Sequence, residues 1–425
     1  PVSAVVAEAD NPLRKLGLYF ALATLFVRFS VLPEAIFFHT GVNTYLLYIV
    51  APPALLLMLI TGGAFRTFRR REPVLLVLFL LWMVAAVPTS HWPGGSLARV
   101  ISYARTEFML LFIVAGLVVS WKDVRAVLNT MALAGLVNMV VIRLSLRLES
   151  GRMSLDYQGT IANSNDLAAH LLLMMPFLLY VLMDSKRSFL IRIPMLGAIA
   201  YGLYVVLGTA SRGALVAMAA CVLFSLWKAS ARQRMAVLLL FPALLVPALM
   251  FAPQSTIDRL KSLTGSEHKE ADESAASRKY LFQQSLIFTL QHPIFGVGPD
   301  QFANYEGKTR TDEGLRGNWH AAHCSWTQVS SECGIPAFLF YAGAILGAGF
   351  LVNRTYREAR KRMDSEVATA CFCFLLSMVG YFVAITFLSN AYSFRQPAMV
   401  GMAMVIAFAA QDRFARSVAP SPRRT

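Results

Sequence analysis

The chain has 425 residues, of which 56% are hydrophobic and only 15% charged, with a mean hydropathy of +0.55, against roughly 25% charged residues in an average soluble domain. This excludes a soluble globular protein. The 39 Lys+Arg exceed the 24 Asp+Glu by 15, but the charge lies between apolar runs long enough to cross a bilayer, so a membrane is expected and no nucleic acid.

A window of about 19 residues finds apolar segments at 16–32, 43–63, 73–88, 99–120, 124–142, 166–183, 190–208, 213–228, 235–252, 334–352, 367–388 and 396–411. They predict an all-α integral membrane protein of about twelve transmembrane helices. Arg14 and Lys15 precede the first segment with no small-residue cleavage site, so it reads as a membrane anchor. Every second connection is basic: Arg66 with Arg69 to Arg71, Lys122 and Arg125, Lys186 to Arg192, Lys228 to Arg234, Arg354 to Arg362, and the tail. The positive-inside rule then places both termini in the cytoplasm, with Arg143, Arg147 and Arg152 as the main exception. Arg105 and Glu107 within the fourth segment are spaced i,i+2, so each needs its own partner or a wet cavity.

The domain organisation follows: residues 1–252 carry spans one to nine, 253–333 form one long outer loop, and 334–425 carry the last three spans and a basic tail. Within the loop, Glu273 to Gln291 reads as an amphipathic helix ended by His292-Pro293, and Gly296-Val297-Gly298-Pro299 as a turn. Trp319 to Glu332 reads as a second helix, leading through Cys333-Gly334-Ile335-Pro336 into the next span. Loops of this length are usually functional.

Polar residues cluster at three places on the outer side: Asn163-Ser164-Asn165-Asp166, Ser211-Arg212-Gly213, and Arg278 to His323. Even-numbered spans turn their N-termini outward, and free N–H groups with a positive dipole end attract phosphate. Arg212 at such an end has the planar guanidinium that grips a diphosphate bidentately, or it is an interfacial arginine reaching lipid headgroups. Arg278 on the loop helix is a second cation, and taken alone reads equally as solvated. His320 and His323 share a face if helical, but no third ligand lies one turn away, so no metal is expected. Without metal, an imidazole is a natural general base. Asn163 and Asn165 are candidates for capping the sixth span and touching substrate. The five cysteines show no CxxC pairing, and no GxxxxGK[ST], GxSxG, HExxH or DxD-like motif is present, so no cofactor or nucleotide is expected.

Arg278-Lys279-Tyr280, then His292-Pro293-Ile294-Phe295-Gly296-Val297-Gly298-Pro299-Asp300-Gln301-Phe302, His323 and Glu332-Cys333-Gly334-Ile335-Pro336 together resemble the O-antigen ligase family of bacterial inner-membrane glycosyltransferases. Asn163-Ser164-Asn165-Asp166-Leu167-Ala168 and Ser211-Arg212-Gly213-Ala214-Leu215 match its patterns in the same order. The resemblance runs from about residue 159 to 352 and implies a GT-C-like helical bundle of twelve spans with a large helical periplasmic loop. The implied chemistry moves a glycan from undecaprenyl diphosphate to a sugar hydroxyl of the lipid A core, in a Gram-negative inner membrane, without metal or nucleotide. Its two arginines and histidine carry over to Arg212, Arg278 and His323. Two positions depart from the family: Cys324 stands where Asn is common after the histidine, and Cys333 where Leu is usual between Glu and Gly. An O-antigen polymerase or a protein O-oligosaccharyltransferase would use the same donor, and a lipid-linked-glycan flippase would move it without cleaving it.

Overall fold

The computed structural model describes residues 10–149, 151–155, 159–229, 231–251, 254, 257, 269–315, 317 and 319–418. The first third holds α1 (Pro12–Phe29), α2 (Leu32–Thr40), α3 (Leu46–Ile60), α4 (Gly63–Thr67), α5 (Arg71–Ala86), α6 (Pro93–Ser102), α7 (Met109–Leu117) and α8 (Trp121–Ser145). A short hairpin, β1 (Arg147–Glu149) with β2 (Arg152–Ser154), leads to α9 (Ser164–Met183), α10 (Phe189–Gly208), α11 (Arg212–Lys228) and α12 (Ala231–Met250). Then come α13 (Lys269–Gln291), α14 (Phe302–Asp312), α15 (Ser325–Lys361), α16 (Ser365–Ala384) and α17 (Arg395–Val418).

Each of the twelve apolar segments falls on a helix, because a chain that cannot offer its backbone to water must close its hydrogen bonds internally. By length and hydropathy, seven helices among the described residues are fit to cross a membrane, or eight if the bent pair α1 and α2 is one span. The expected twelve are therefore not all met: α3 runs over 15 residues, α5 over 16 and α11 over 17, against the roughly 20 that a perpendicular span needs. Their ends are set by local chemistry. The Asn163 side chain caps α9 by accepting from the amides of Asn165 and Asp166, and Ser211 caps α11 by accepting from Ala214 N. Ser120 and Asp123 form a reciprocal capping box at the start of α8.

α9, α16 and α17 form the centre, with 72–78% of each apolar window buried, whereas α10 and α15 bury 39% and lie at the periphery. Side chains such as Phe177, Phe374 and Met399 are wholly enclosed between them. Two arginines inside the bundle are paired with carboxylates: Arg28 reaches Glu107 at 2.6 Å, and Arg14 reaches Asp123 at 2.8 Å. Glu107 thus finds its partner 79 residues away rather than in Arg105, on a π-helical turn over Tyr103–Phe108 that joins α6 to α7.

The outer-loop helix expected from Glu273 is α13, which starts at Lys269 and ends at Gln291 before His292-Pro293. The second expected helix is corrected. Residues 319–324 are not helical, α15 begins only at Ser325, and α14 intervenes without having been expected. Trp319 and His323 both hold left-handed backbone conformations, at φ 54°, which an α-helix cannot accommodate.

Candidate functional site

The site is built on a break in α15. Gly334 sits at φ 85°, ψ 173°, a region open essentially to glycine alone, and Pro336 two residues later has no N–H. The carbonyls of Ser331 and Glu332 therefore lose their helical donors. The glycine turn supplies replacements: Val297 N donates to Ser331 O and Gly298 N to Glu332 O, both at 2.9 Å, while Ile335 N donates to Pro293 O at 2.8 Å. A side chain at Gly296 would run into the Glu332 backbone, and one at Gly334 into the Ile294 carbonyl. The two motifs, Gly296 to Pro299 and Glu332 to Pro336, are thus two halves of one joint.

Glu332 completes it. Its buried carboxyl group accepts from Asp300 N at 2.9 Å, from Phe302 N at 3.4 Å and from the Tyr392 hydroxyl at 2.6 Å. Acceptor oxygens at the first amides of α14 satisfy orphan donors, while burial and the neighbouring Asp300 charge push the Glu332 pKa up to about 8. The pair α13–α14 is so fixed onto the bundle, closing its own small core of Leu281, Phe288, Val297 and Phe302.

His323 hangs just before α15. Its backbone N–H donates to Ser389 Oγ at 2.8 Å, Ser325 Oγ donates to Leu388 O at 2.7 Å, and Trp326 Nε1 donates to Thr386 Oγ1 at 3.1 Å. The loop is therefore stitched to the polar strip 386–390 that follows α16. Burial lowers the His323 pKa below its ordinary 6.5, and the charges of Arg278 and His320 lower it further. The half-buried imidazole is consequently neutral near neutral pH, with a lone pair available for a proton. Arg278, on α13, stands within Coulombic reach of it.

Arg212 is the exposed first residue of α11. The next residue, Gly213, lies so close to Phe387 that a Cβ would come within 2.8 Å of that side chain. The start of α11 and the backbone of His323 are thus seated on neighbouring residues of one strip. The start of α9 joins the same strip, since Asn390 Nδ2 donates to Asp166 Oδ1 at 2.8 Å and Asn163 Nδ2 donates to Asp166 Oδ2 at 2.8 Å. Asn163 caps α9, whereas Asn165 does not: its Oδ1 accepts from Arg152 Nη2 at 2.6 Å, and Arg152 Nε donates to Thr209 O at 2.8 Å. His320 is exposed near His323, on non-helical chain rather than on a shared helix face. Among the described residues no group of three or more His, Cys, Asp or Glu is placed to hold a metal ion.

Several residues of this cluster were not singled out from sequence. Arg395 is buried, stacks on Phe394 at 4.8 Å, and donates to His170 Nδ1 at 3.2 Å and to Thr160 O at 3.3 Å. Its bond fixes His170 as the Nε2–H tautomer, which donates to Phe29 O at 3.1 Å. Arg395 also acts electrostatically on Asp166. The available signal was Ser389-Asn390-Ala391-Tyr392-Ser393-Phe394-Arg395-Gln396, a polar interruption between two apolar runs.

Fold and site together define a multi-pass helical membrane protein with cations and a neutral imidazole gathered at one end of its bundle. Residues 197–342 match the family model for O-antigen ligase, and the chain carries this O-antigen ligase family region. The matched segment includes Arg212, Arg278, His320, His323 and both halves of the joint, but neither Asn163 nor the strip 386–395. The family implies a membrane glycosyltransferase of the O-antigen ligase/polymerase type, working on lipid-linked glycans. No curated protein matches the chain.

Proposed function

We propose that this protein transfers O-antigen glycan from undecaprenyl diphosphate to a sugar hydroxyl of the lipid A core, at the periplasmic face of a Gram-negative inner membrane. In this reading residues 253–333 form the periplasmic loop domain, residues 1–252 and 334–425 form the membrane domain, and both termini are cytoplasmic. The observation that carries it is the neutral His323 held on the strip that also seats the Arg212 helix end, with Arg278 in Coulombic reach.

The chemistry follows from charge. Breaking the bond from the anomeric carbon to the diphosphate leaves the electron pair on phosphate oxygen, and Arg212 and Arg278 neutralise that charge as it develops. The acceptor hydroxyl oxygen attacks the anomeric carbon from the opposite face while His323 takes its proton, so the new linkage is inverted. The undecaprenyl diphosphate departs as the free anion. A base contributes roughly 10²–10⁴-fold and one preorganised charge contact roughly 10²–10³-fold. His320, Asn163 and Asn165 offer polar contacts to the glycan at the edge of the site.

The test is transfer by the purified full chain from a defined undecaprenyl-diphosphate glycan, with lipid A core, a second glycan-lipid and a pilin-type protein offered separately as acceptors. Transfer to the core alone supports ligation; transfer to the glycan-lipid or the protein replaces it with polymerisation or protein glycosylation. His323→Ala, Arg212→Ala and Arg278→Ala are each expected to abolish or nearly abolish transfer, and chelators to leave it intact.

A further inference from the structure

The far end of the bundle holds a second feature that the proposed transfer does not use. A crevice of about 380 Å³ opens between α9, α10, α11, α12, α15 and α16, walled by apolar side chains such as Leu182, Leu196, Leu244 and Phe372. It continues into a second apolar space of about 170 Å³ through Leu179, Ile199, Leu203, Ser225 and Phe241, which line both. The first falls within the roughly 300–1,000 Å³ typical of ligand cavities.

Among the described residues, Lys228 and Arg360 are the cations that line it. Lys228 Nζ donates to Asn353 Oδ1 at 2.7 Å and lies 4.1 Å from the Trp227 ring centre, and Arg360 Nη1 donates to the Tyr356 hydroxyl at 3.4 Å. Neither has a carboxylate partner among the described residues. Other basic groups at this end do: Arg362 pairs with Glu358 at 3.0 Å, Arg413 with Asp364 at 2.8 Å, and Arg187 with Asp184 at 3.1 Å. Arg357 adds a third positive charge within Coulombic reach of Lys228. Apolar walls beneath uncompensated cations, with Trp227 and Tyr356 alongside, match a molecule with an anionic head and a hydrocarbon tail.

Two such molecules compete: a bilayer phospholipid and the polyprenyl donor. Arg212 and Lys228 stand at opposite ends of the 17-residue α11, about 25 Å apart along its axis. A diphosphate at Arg212 therefore leaves Lys228 and Arg360 without an anion. We infer that this crevice is a binding site for an anionic phospholipid, its acyl chain lying between α10, α11 and α16 and its phosphate held by Lys228 and Arg360 at the membrane edge opposite the candidate site.

The test is native mass spectrometry of the full-length protein in detergent, titrated separately with phosphatidylglycerol, phosphatidylethanolamine and undecaprenyl phosphate. Phosphatidylglycerol is expected to be retained over phosphatidylethanolamine. The double variant Lys228→Gln/Arg360→Gln should weaken phosphatidylglycerol by about twenty-fivefold, the product of the roughly fivefold each cation near an anionic lipid supplies, while Arg212→Gln leaves it unchanged. Leu203→Trp, which fills the crevice, should lower retention with the charges intact. Equal retention of the two phospholipids, undiminished phosphatidylglycerol in the double variant, or its displacement by undecaprenyl phosphate would overturn the assignment.

Discussion

Removing one hydroxyl, Ser389→Ala, tests how far the proposed base depends on its backbone. His323 holds φ 54°, a left-handed conformation that costs a non-glycine residue roughly 1–2 kcal/mol and persists only while its surroundings enforce it. The enforcing contact is the 2.8 Å bond from His323 N to Ser389 Oγ. Without it a partly buried N–H loses its acceptor, worth about 1–3 kcal/mol, which is enough to let the backbone relax and carry the imidazole away. A displacement on the order of 1 Å costs roughly 10²-fold in rate, so kcat should fall about 10- to 100-fold with KM little changed. The fold should hold, because Ser325 and Trp326 still bind Leu388 and Thr386. Initial rates of glycan transfer from a defined lipid-diphosphate donor measure this, with Ser389→Thr as the rescue that retains the acceptor oxygen. Wild-type kcat in Ser389→Ala, or an equal loss in Ser389→Thr with its melting intact, would refute the reasoning.

Glu332→Ala should orphan three donors, Asp300 N, Phe302 N and the Tyr392 hydroxyl, each costing about 1–3 kcal/mol, so that α14 shows faster amide exchange before the spanning helices do. Gly334→Ala should lower the melting temperature sharply, since strain of about 1–3 kcal/mol adds to a clash with the Ile294 carbonyl; Gly197→Ala, with open space around it inside α10, should be neutral or stabilising, and equal melting of the two variants would count against the joint. In the pH profile, the His323 pKa lies below 6.5 and the neutral form is the proposed base, so activity should be full at neutral pH and fall as acid protonates the ring. Arg278→Gln removes a charge that disfavours the imidazolium, so the acid limb of the residual rate should move to higher pH; a limb that stays put would separate Arg278 from His323.

What the sequence revealed of the fold was whatever depends on local pattern. Apolar runs announced helices, because hydropathy summed over a window is insensitive to the partners a helix later meets. His292-Pro293 ended α13 because a proline disfavours helical backbone at the residue before it, a tendency that the packed bundle overrides at Pro176 in α9 and Pro194 in α10. Trp319 to His323 misled because their conformation is set from afar. Trp319 N donates to Glu306 Oε2 at 3.1 Å, 13 residues back, and His323 N to Ser389, 66 residues on. Composition compatible with a helix cannot register either bond, so the shared face expected of His320 and His323 does not exist.

The same distinction separates the legible part of the site from the hidden part. Arg212, Arg278 and His323 stood out because their residue types carry a recognisable chemistry and recur in a known order. Ser389, Asn390 and Arg395 carry none that is diagnostic; their role is to be where α9, α11 and the His323 loop converge. A group that acts by holding others is invisible until its partners are located, although its substitution is expected to cost about 10- to 100-fold in rate. The matched segment ends at residue 342, before the strip begins, yet the backbone of His323 is anchored to it. Any account of the chemistry confined to the matched segment therefore omits the residues that hold its proposed base in place.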